Sequence, residues 1–442
     1  LGTTEKWGEQ PKVAVRTLKA DVVEGPDAGR TSWTAEERLT LGTAKGNDLV
    51  LGDPTVSRFH LLVKRTDDGI LLVDQRSTNG TFVGGARLGE ATVTPGTVIT
   101  LGRTRVRLAN GQDTDVELHH DARLGGIFGT SVVMRRVMAW VQRAAASDAS
   151  VLLTGESGTG KDVVARTIHG LGARASMPFV TVDCGALAPS LVASELFGHE
   201  RGAFTGADRQ HAGALEQAHG GTLFLDEIGE LPRELQSVLL GALERRSFRR
   251  VGGRSDVAVD VRVIAATNKN LRTEVNSGAF RLDLFYRLAV LTLELPPLRE
   301  RREDIPLLLD HFFAELGHDG GPAAVLPEDV REAIARHDWP GNVRELRNFA
   351  EATLALGQLA RPGGLGATPA DAPRAAEDDT MPIGPLLDIP FKDARQRALL
   401  AFEERYLARL LTKAGGNVSQ AARDAGLDRS YLFSLLRRSG LR

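Results

Sequence analysis

The chain has 442 residues and a net charge of −2, with 42% hydrophobic and 25% charged residues. That is the balance of a globular protein of about three domains, in which any nucleic-acid contact must come from a local basic segment. No run approaches the roughly 20 apolar residues of a membrane span, and the ten histidines and one cysteine show no metal-ligand spacing. Cys184 alone excludes an intrachain disulfide and fits a reducing cytoplasm, with no membrane partner. The stretch Leu1–Gln10 is polar and lacks a signal peptide's apolar core. Leu1 itself points to a trimmed chain or a literally translated alternative start codon.

Residues 1–115 read as an all-β sandwich. Short apolar runs recur at Leu39–Leu41, Leu61–Val63, Ile70–Val73, Val98–Leu101 and Val106–Leu108, punctuated by Gly, Asp, Asn and Pro. Three short motifs sit among them: Leu41-Gly42, Ser57-Arg58-Phe59-His60 and Ser77-Thr78-Asn79-Gly80-Thr81. Together they resemble a forkhead-associated (FHA) domain. The resemblance implies a phosphothreonine protein or threonine kinase as partner. Ser57 and Arg58 would grip the phosphate, where an arginine adds charge-assisted, directional bonds. Thr78 and Asn79 belong to the second loop, Asn79 holding the peptide backbone, while His60 braces the first. FHA domains usually carry Gly-Arg where this chain has Gly42-Thr43, which removes one phosphate ligand. Lys45 substitutes only as a point charge with different geometry. The alternative is a sandwich without a phosphate site. Thr3, Thr4 and Thr17 are candidates for binding within the chain itself.

Residues 116–360 alternate strand and helix runs, the mark of an α/β sheet, with 123–358 as the candidate domain within them. The strand run Ala149–Thr154 leads into Gly155-Glu156-Ser157-Gly158-Thr159-Gly160-Lys161 and then the helical run Asp162–Leu171. Strand, glycine-rich loop and helix make a P-loop for ATP and Mg²⁺, with backbone N–H groups converging on phosphate. Lys161 would neutralise the β- and γ-phosphates. Asp162 stands where P-loops generally carry Ser or Thr. A second apolar strand, Gly220–Leu225, ends in Asp226-Glu227. Asp226 suits the Mg²⁺ shell and Glu227 the attacking water. Between these motifs lies Gly202-Ala203-Phe204-Thr205-Gly206-Ala207. Its glycines permit a mobile loop, with Phe204 and Thr205 at the tip, where an exposed aromatic suits gripping a partner.

In this setting the hexapeptide resembles the surface loop of bacterial enhancer-binding proteins, the AAA+ ATPases that activate sigma-54 RNA polymerase. The resemblance implies that this loop meets sigma-54 and that Arg249–Gly253 assists as a second pore loop. An acidic residue after the P-loop lysine, here Asp162, is usual in that family. Ala265–Asn268 looks like sensor I, with Asn268 toward the attacking water or γ-phosphate. Phe280–Leu288 matches the arginine-finger helix, whose Arg281 and Arg287 would enter a neighbouring subunit's site. Trp339–Leu346 matches sensor II, with Arg344 facing the nucleotide. A homo-hexameric ring is the implied working form and a dimer the inactive one. One departure stands out. Asp183, in Thr181–Leu187, replaces the usual asparagine that holds the catalytic glutamate. It cannot donate an amide hydrogen bond, and beside Glu227 two carboxylates repel. Altered coupling between nucleotide and loop is expected.

Residues 361–390, rich in Pro, Gly, Ala and acid, read as a flexible linker. Residues 391–442 read as helical, with eleven Lys and Arg against five Asp and Glu. Gly415-Gly416-Asn417 makes a turn, Val418–Ala425 a short helix, Gly426 a break, and Asp428 an N-cap. That order, with the positive charge, reads as an all-α helix-turn-helix for double-stranded enhancer DNA and resembles the Fis type. Arg429, Ser430, Tyr431 and Ser434 would face the major groove, with Arg437 and Arg438 near phosphates. The expectation is a phosphothreonine-regulated, ATP-hydrolysing activator of sigma-54 transcription. Its rivals are a protein unfoldase and a phosphopeptide- and DNA-binding regulator whose ATPase is silent.

Overall fold

The computed structural model describes residues 11–356, apart from 35–36, 67, 186–188 and 319, together with Leu407. The segment 361–390 and the residues Arg429 to Arg438, expected to face DNA, lie outside the described residues. Everything described up to residue 356 belongs to one compact unit.

The N-terminal part is a sandwich of a six-stranded and a five-stranded sheet. Alternation drives it: in Gly69–Asp74, Ile70 and Leu72 are buried while their neighbours lie nearer the surface. Leu39, Leu41, Val63, Ile99, Leu101 and Val106 complete the core between the sheets. All five expected strand runs are strands. The two long strands Lys12–Glu24 and Thr104–Glu117 pair antiparallel along their length, from Lys12 opposite Glu117 to Glu24 opposite Arg105. Lys12–Glu24 escaped the sequence reading because Lys, Arg, Asp and Glu interrupt its apolar residues and two register shifts break the alternation.

The second part is a five-stranded sheet in the order Phe179–Asp183, Thr222–Asp226, Arg262–Thr267, Val151–Thr154, Leu291–Glu294. Every neighbouring pair is parallel, so crossovers cover the sheet and its strands are apolar throughout. Val137, Val141, Val164 and Ile168 pack on one side against Leu153 and Ile264. Leu239, Leu243, Leu284 and Leu288 pack on the other against Leu225 and Ala265. Parallel strands bring their carboxyl ends to one edge, which collects Thr154, Asp183, Asp226, Thr267 and Glu294. A helical lid follows, with Ile305–Glu315, Glu328–Arg336 and Asn342–Leu356 packed around the fully buried Trp339. The Trp339 indole donates to the Ile334 carbonyl at 3.0 Å, which satisfies its one polar atom.

Candidate nucleotide site and its loops

The loop after strand Val151–Thr154 wraps from Gly155 to Gly160 and opens the helix Lys161–Gly170. Gly158 has φ +77°, and a Cβ there would overlap the Gly341 carbonyl of the lid. Only glycine permits both that backbone and that approach. Lys161 Nζ donates to the carbonyls of Gly155 at 2.9 Å and Glu156 at 3.0 Å. Burial holds its pKa below the ordinary lysine value against the pull of Glu227 and Asp226. The ammonium thus sits inside the glycine cradle, where a phosphate would meet it. Asp162 is exposed in the first helical turn.

Two strands away, burial chiefly raises the Asp226 pKa, with the charges of Glu227 and Asp183 adding to it. Glu227 has φ +47°, a strained conformation outside glycine. Its Oε2 accepts from the Asn268 backbone N–H at 3.1 Å, joining the Asp226-Glu227 corner to the residue that follows the strand Arg262–Thr267. Asp183 lies in register with Asp226, and its Oδ1 accepts from the Gly185 N–H at 2.8 Å. From the lid, Arg344 donates to Ser157 Oγ at 3.1 Å. Lys161, Asp226, Glu227, Asn268, Asp183 and Arg344 therefore gather at one edge of the sheet.

Three further residues hold the loop. Arg299 grips the Glu156 carboxylate with both terminal nitrogens at 2.6 and 2.9 Å. Asn342 Nδ2 donates to Glu156 Oε2 and to the Ser157 carbonyl. Arg301 donates to the Thr159 carbonyl at 3.0 Å, and burial pushes its pKa down to about 10. Asn342 lies inside the Trp339–Leu346 motif, two residues before Arg344. Arg299 and Arg301 sit in an arginine-rich run that gives no local sign of its target.

Arg281 and Arg287 stand apart from this edge. Arg281 pairs with Asp283 at 2.6 Å and donates to Ser237 Oγ, while Arg287 donates to the Leu243 carbonyl. Both are engaged within their own chain. The hexapeptide Gly202–Ala207 forms a loop after the helix Pro189–Phe197, with Phe204 and Thr205 exposed and the Phe204 ring edge-on to His199 at 4.9 Å. Its base is braced. His199 and His211 exchange backbone bonds, Glu200 N–H donates to the Val251 carbonyl, and Arg250 pairs with both Glu200 and Glu216 at 2.8 Å.

On the sandwich, Ser57 Oγ accepts from the Thr78 N–H, and Asn79 Nδ2 donates to the Thr55 carbonyl, so the two loops are tied together. His60 is fully buried, with Nδ1 accepting from the Ser57 N–H, which matches the bracing role. Lys45 is exposed. Arg58 turns away from these loops and donates to the Val275 carbonyl of the ATPase part at 2.7 Å.

A glycine cradle on a parallel sheet, two carboxylates at the next strand end and a lid arginine on the loop define an AAA+ nucleotide-binding domain. It is preceded by an FHA-like sandwich. Comparison with known proteins agrees. The sigma-54 interaction domain model matches residues 127–294 and the AAA+ ATPase lid model matches residues 299–361. Residues 21–112 match the model described as the cytoplasmic domain of an inner membrane component of the T3SS. The chain is 42% identical over 339 residues to the transcriptional regulatory protein ZraR of Salmonella typhi, covering 75% of this chain and 73% of that one. It is 40% identical to the DNA-binding transcriptional regulator NtrC of Azospirillum brasilense, covering 70% and 69%. The crystal structure of NtrX from Brucella abortus in complex with ATP shares 37% identity at a TM-score of 0.50, covering 72% and 70%. The chain belongs to the family of sigma-54-dependent transcriptional activators.

Proposed function

We propose that the chain hydrolyses ATP to remodel closed sigma-54 RNA polymerase promoter complexes into open ones, from an upstream enhancer site. On this reading residues 1–115 bind a phosphothreonine protein or threonine kinase. Residues 123–358 hydrolyse ATP, 361–390 link, and 391–442 bind DNA through Arg429, Ser430, Tyr431, Ser434, Arg437 and Arg438. The observation that carries it is the convergence of Lys161, Asp226, Glu227, Asn268 and Arg344 beside a braced loop that exposes Phe204.

Gly155 to Gly160 cradle the phosphates and Lys161 neutralises them. Half-buried Asp226, crowded by Glu227 and Asp183, suits a divalent cation. Mg²⁺ is commonly held by one or two carboxylates together with phosphate oxygens, and Asp226 would supply the carboxylate. When bound, Mg²⁺ stabilises charge on the phosphate oxygens. Glu227, fixed through Asn268, orients and polarises water. Arg344 senses the nucleotide from the lid. Arg281 and Arg287 exchange their partners in the chain for a neighbour's γ-phosphate in a homo-hexamer. Movement of Gly202–Ala207 then transmits hydrolysis to sigma-54. Ser57, Arg58, Thr78, Asn79 and Lys45 form the phosphopeptide face. The protein acts in the cytoplasm.

Asp183 supports a second reading, in which hydrolysis is silent and the chain only binds phosphopeptide and DNA. Phosphate release at ring-forming concentration separates the two. Turnover abolished by Glu227→Gln supports the first, and absence of turnover in the unaltered chain supports the second.

A further inference from the structure

The sandwich meets the ATPase through the same loops that the FHA resemblance assigns to phosphopeptide. Phe59, between Arg58 and His60, is buried in the ATPase core cluster and packs edge-on against Phe285 at 5.2 Å. Asn276 donates to the carbonyls of Phe59 and Gln75 at 2.5 and 2.9 Å. It also accepts from the Phe59 N–H at 3.4 Å. Asn270, which caps the helix Leu271–Ser277, donates to Gln75 Oε1 at 2.6 Å. The Gly46 N–H, beside Lys45, donates to the Tyr286 hydroxyl at 3.4 Å. Arg272 lies over the Phe59 ring at 5.0 Å. At the far end of that helix Arg58 reaches the Val275 carbonyl, where a cation also meets the negative end of the helix dipole. The next helix, Leu282–Leu288, carries Phe285 and Tyr286 between Arg281 and Arg287.

We propose that the helix Leu271–Ser277 is an internal ligand of the FHA recognition loops, so that phosphothreonine binding and docking on the ATPase exclude one another. The proposal rests on the phosphothreonine reading of Ser57 and Arg58. Arg58 cannot serve Val275 and a phosphate in one position. A phosphate offers it an opposite charge and bidentate bonding, where the Val275 carbonyl offers a single bond to a neutral acceptor. Turning Arg58 back toward Ser57 and Thr78 pulls on Phe59, the adjacent residue and the one seated deepest in the ATPase. The segment released lies between Asn268 of the nucleotide edge and the helix bearing Arg281 and Arg287. Occupancy of the FHA face thereby reaches both the nucleotide and the arginine fingers. Because linkage is reciprocal, docking weakens peptide binding by the same factor that peptide weakens docking, so a variant that loosens the dock tightens peptide binding.

The test uses the full chain and a fluorescent degenerate phosphothreonine peptide pool, with the unphosphorylated pool as control. Asn276→Ala removes three contacts to the sandwich without touching it, and tightens binding about tenfold. Tyr286→Phe removes only the hydroxyl that accepts from Gly46 and moves affinity the same way by about threefold. Arg58→Ala abolishes binding in all backgrounds. Phosphate-dependent binding that is equal in the unaltered chain and both dock variants overturns the proposal and leaves the phosphothreonine reading standing. No phosphate-dependent binding in any form overturns both.

Discussion

Arg250→Met isolates the brace under the exposed Phe204 loop. Methionine keeps the aliphatic stem and removes the guanidinium that joins Glu200, at the loop's base, to Glu216. Arg250 donates Nε and Nη2 to Glu216 at 3.0 and 2.8 Å and Nη1 to Glu200 at 2.8 Å. Its side chain is only 17% exposed, while Glu216 and Glu200 are 31% and 37% exposed. Solvated ion pairs contribute about 0.2–1 kcal/mol each. The bidentate geometry and the sheltered arginine place these two near the top of that range, for about 2 kcal/mol together. That energy corresponds to about a 30-fold rise in the opening equilibrium of the loop base. Both carboxylates remain partly in water, so no buried charge is stranded and the global fold holds. Hydrogen exchange reads the effect directly. The amides of His199 and His211, which bond each other's carbonyls, exchange about 30-fold faster, while the helix Lys161–Gly170 is unchanged. Unaltered protection at His199 and His211 refutes the brace.

Asp183→Asn removes one of the charges that raise Asp226. A carboxyl with a raised folded pKa keeps its proton longer in the folded state, so folding stability falls as pH rises from the ordinary carboxylate value toward the raised one. The variant makes that fall shallower, as measured by urea midpoints from acid to neutral pH, and it changes ATPase rate or promoter activation. If neither rate nor activation moves, Asp183 has no part in coupling. Gly158→Ala forces a β-carbon against the Gly341 carbonyl at a left-handed φ, which costs about 1–3 kcal/mol and weakens fluorescent-nucleotide binding at least tenfold. Trp339→Ala empties the centre of the lid at about 3–5 kcal/mol, so limited proteolysis cuts within residues 305–356 before it reaches the sheet.

The nucleotide edge was legible because its parts are contiguous. A phosphate loop needs glycines and a lysine within a few residues, and a strand that ends in two carboxylates shows its apolar run and its acids side by side. Phe204 was legible for a related reason, since an aromatic flanked by glycines has no local core to enter. Arg299, Arg301 and the dock of Phe59 were not legible. Arg299 meets Glu156 across 143 positions, and Asn276 meets Phe59 across 217. Such pairs depend on the packing of whole layers, and nothing near either residue states its partner. Phe59 read as a loop residue of the sandwich, yet its ring completes the core of the other domain. Lys12–Glu24 escaped because its partner strand, Thr104–Glu117, supplies the pairing that its own alternation does not announce.

The most direct test of the account is promoter opening by sigma-54 RNA polymerase with the full chain and ATP, followed by reactivity of unpaired bases, with Glu227→Gln alongside. Opening that requires ATP and disappears in Glu227→Gln is the predicted result. Persistent failure to open, including in a chain lacking residues 1–115, contradicts the account and leaves a silent phosphopeptide- and DNA-binding regulator.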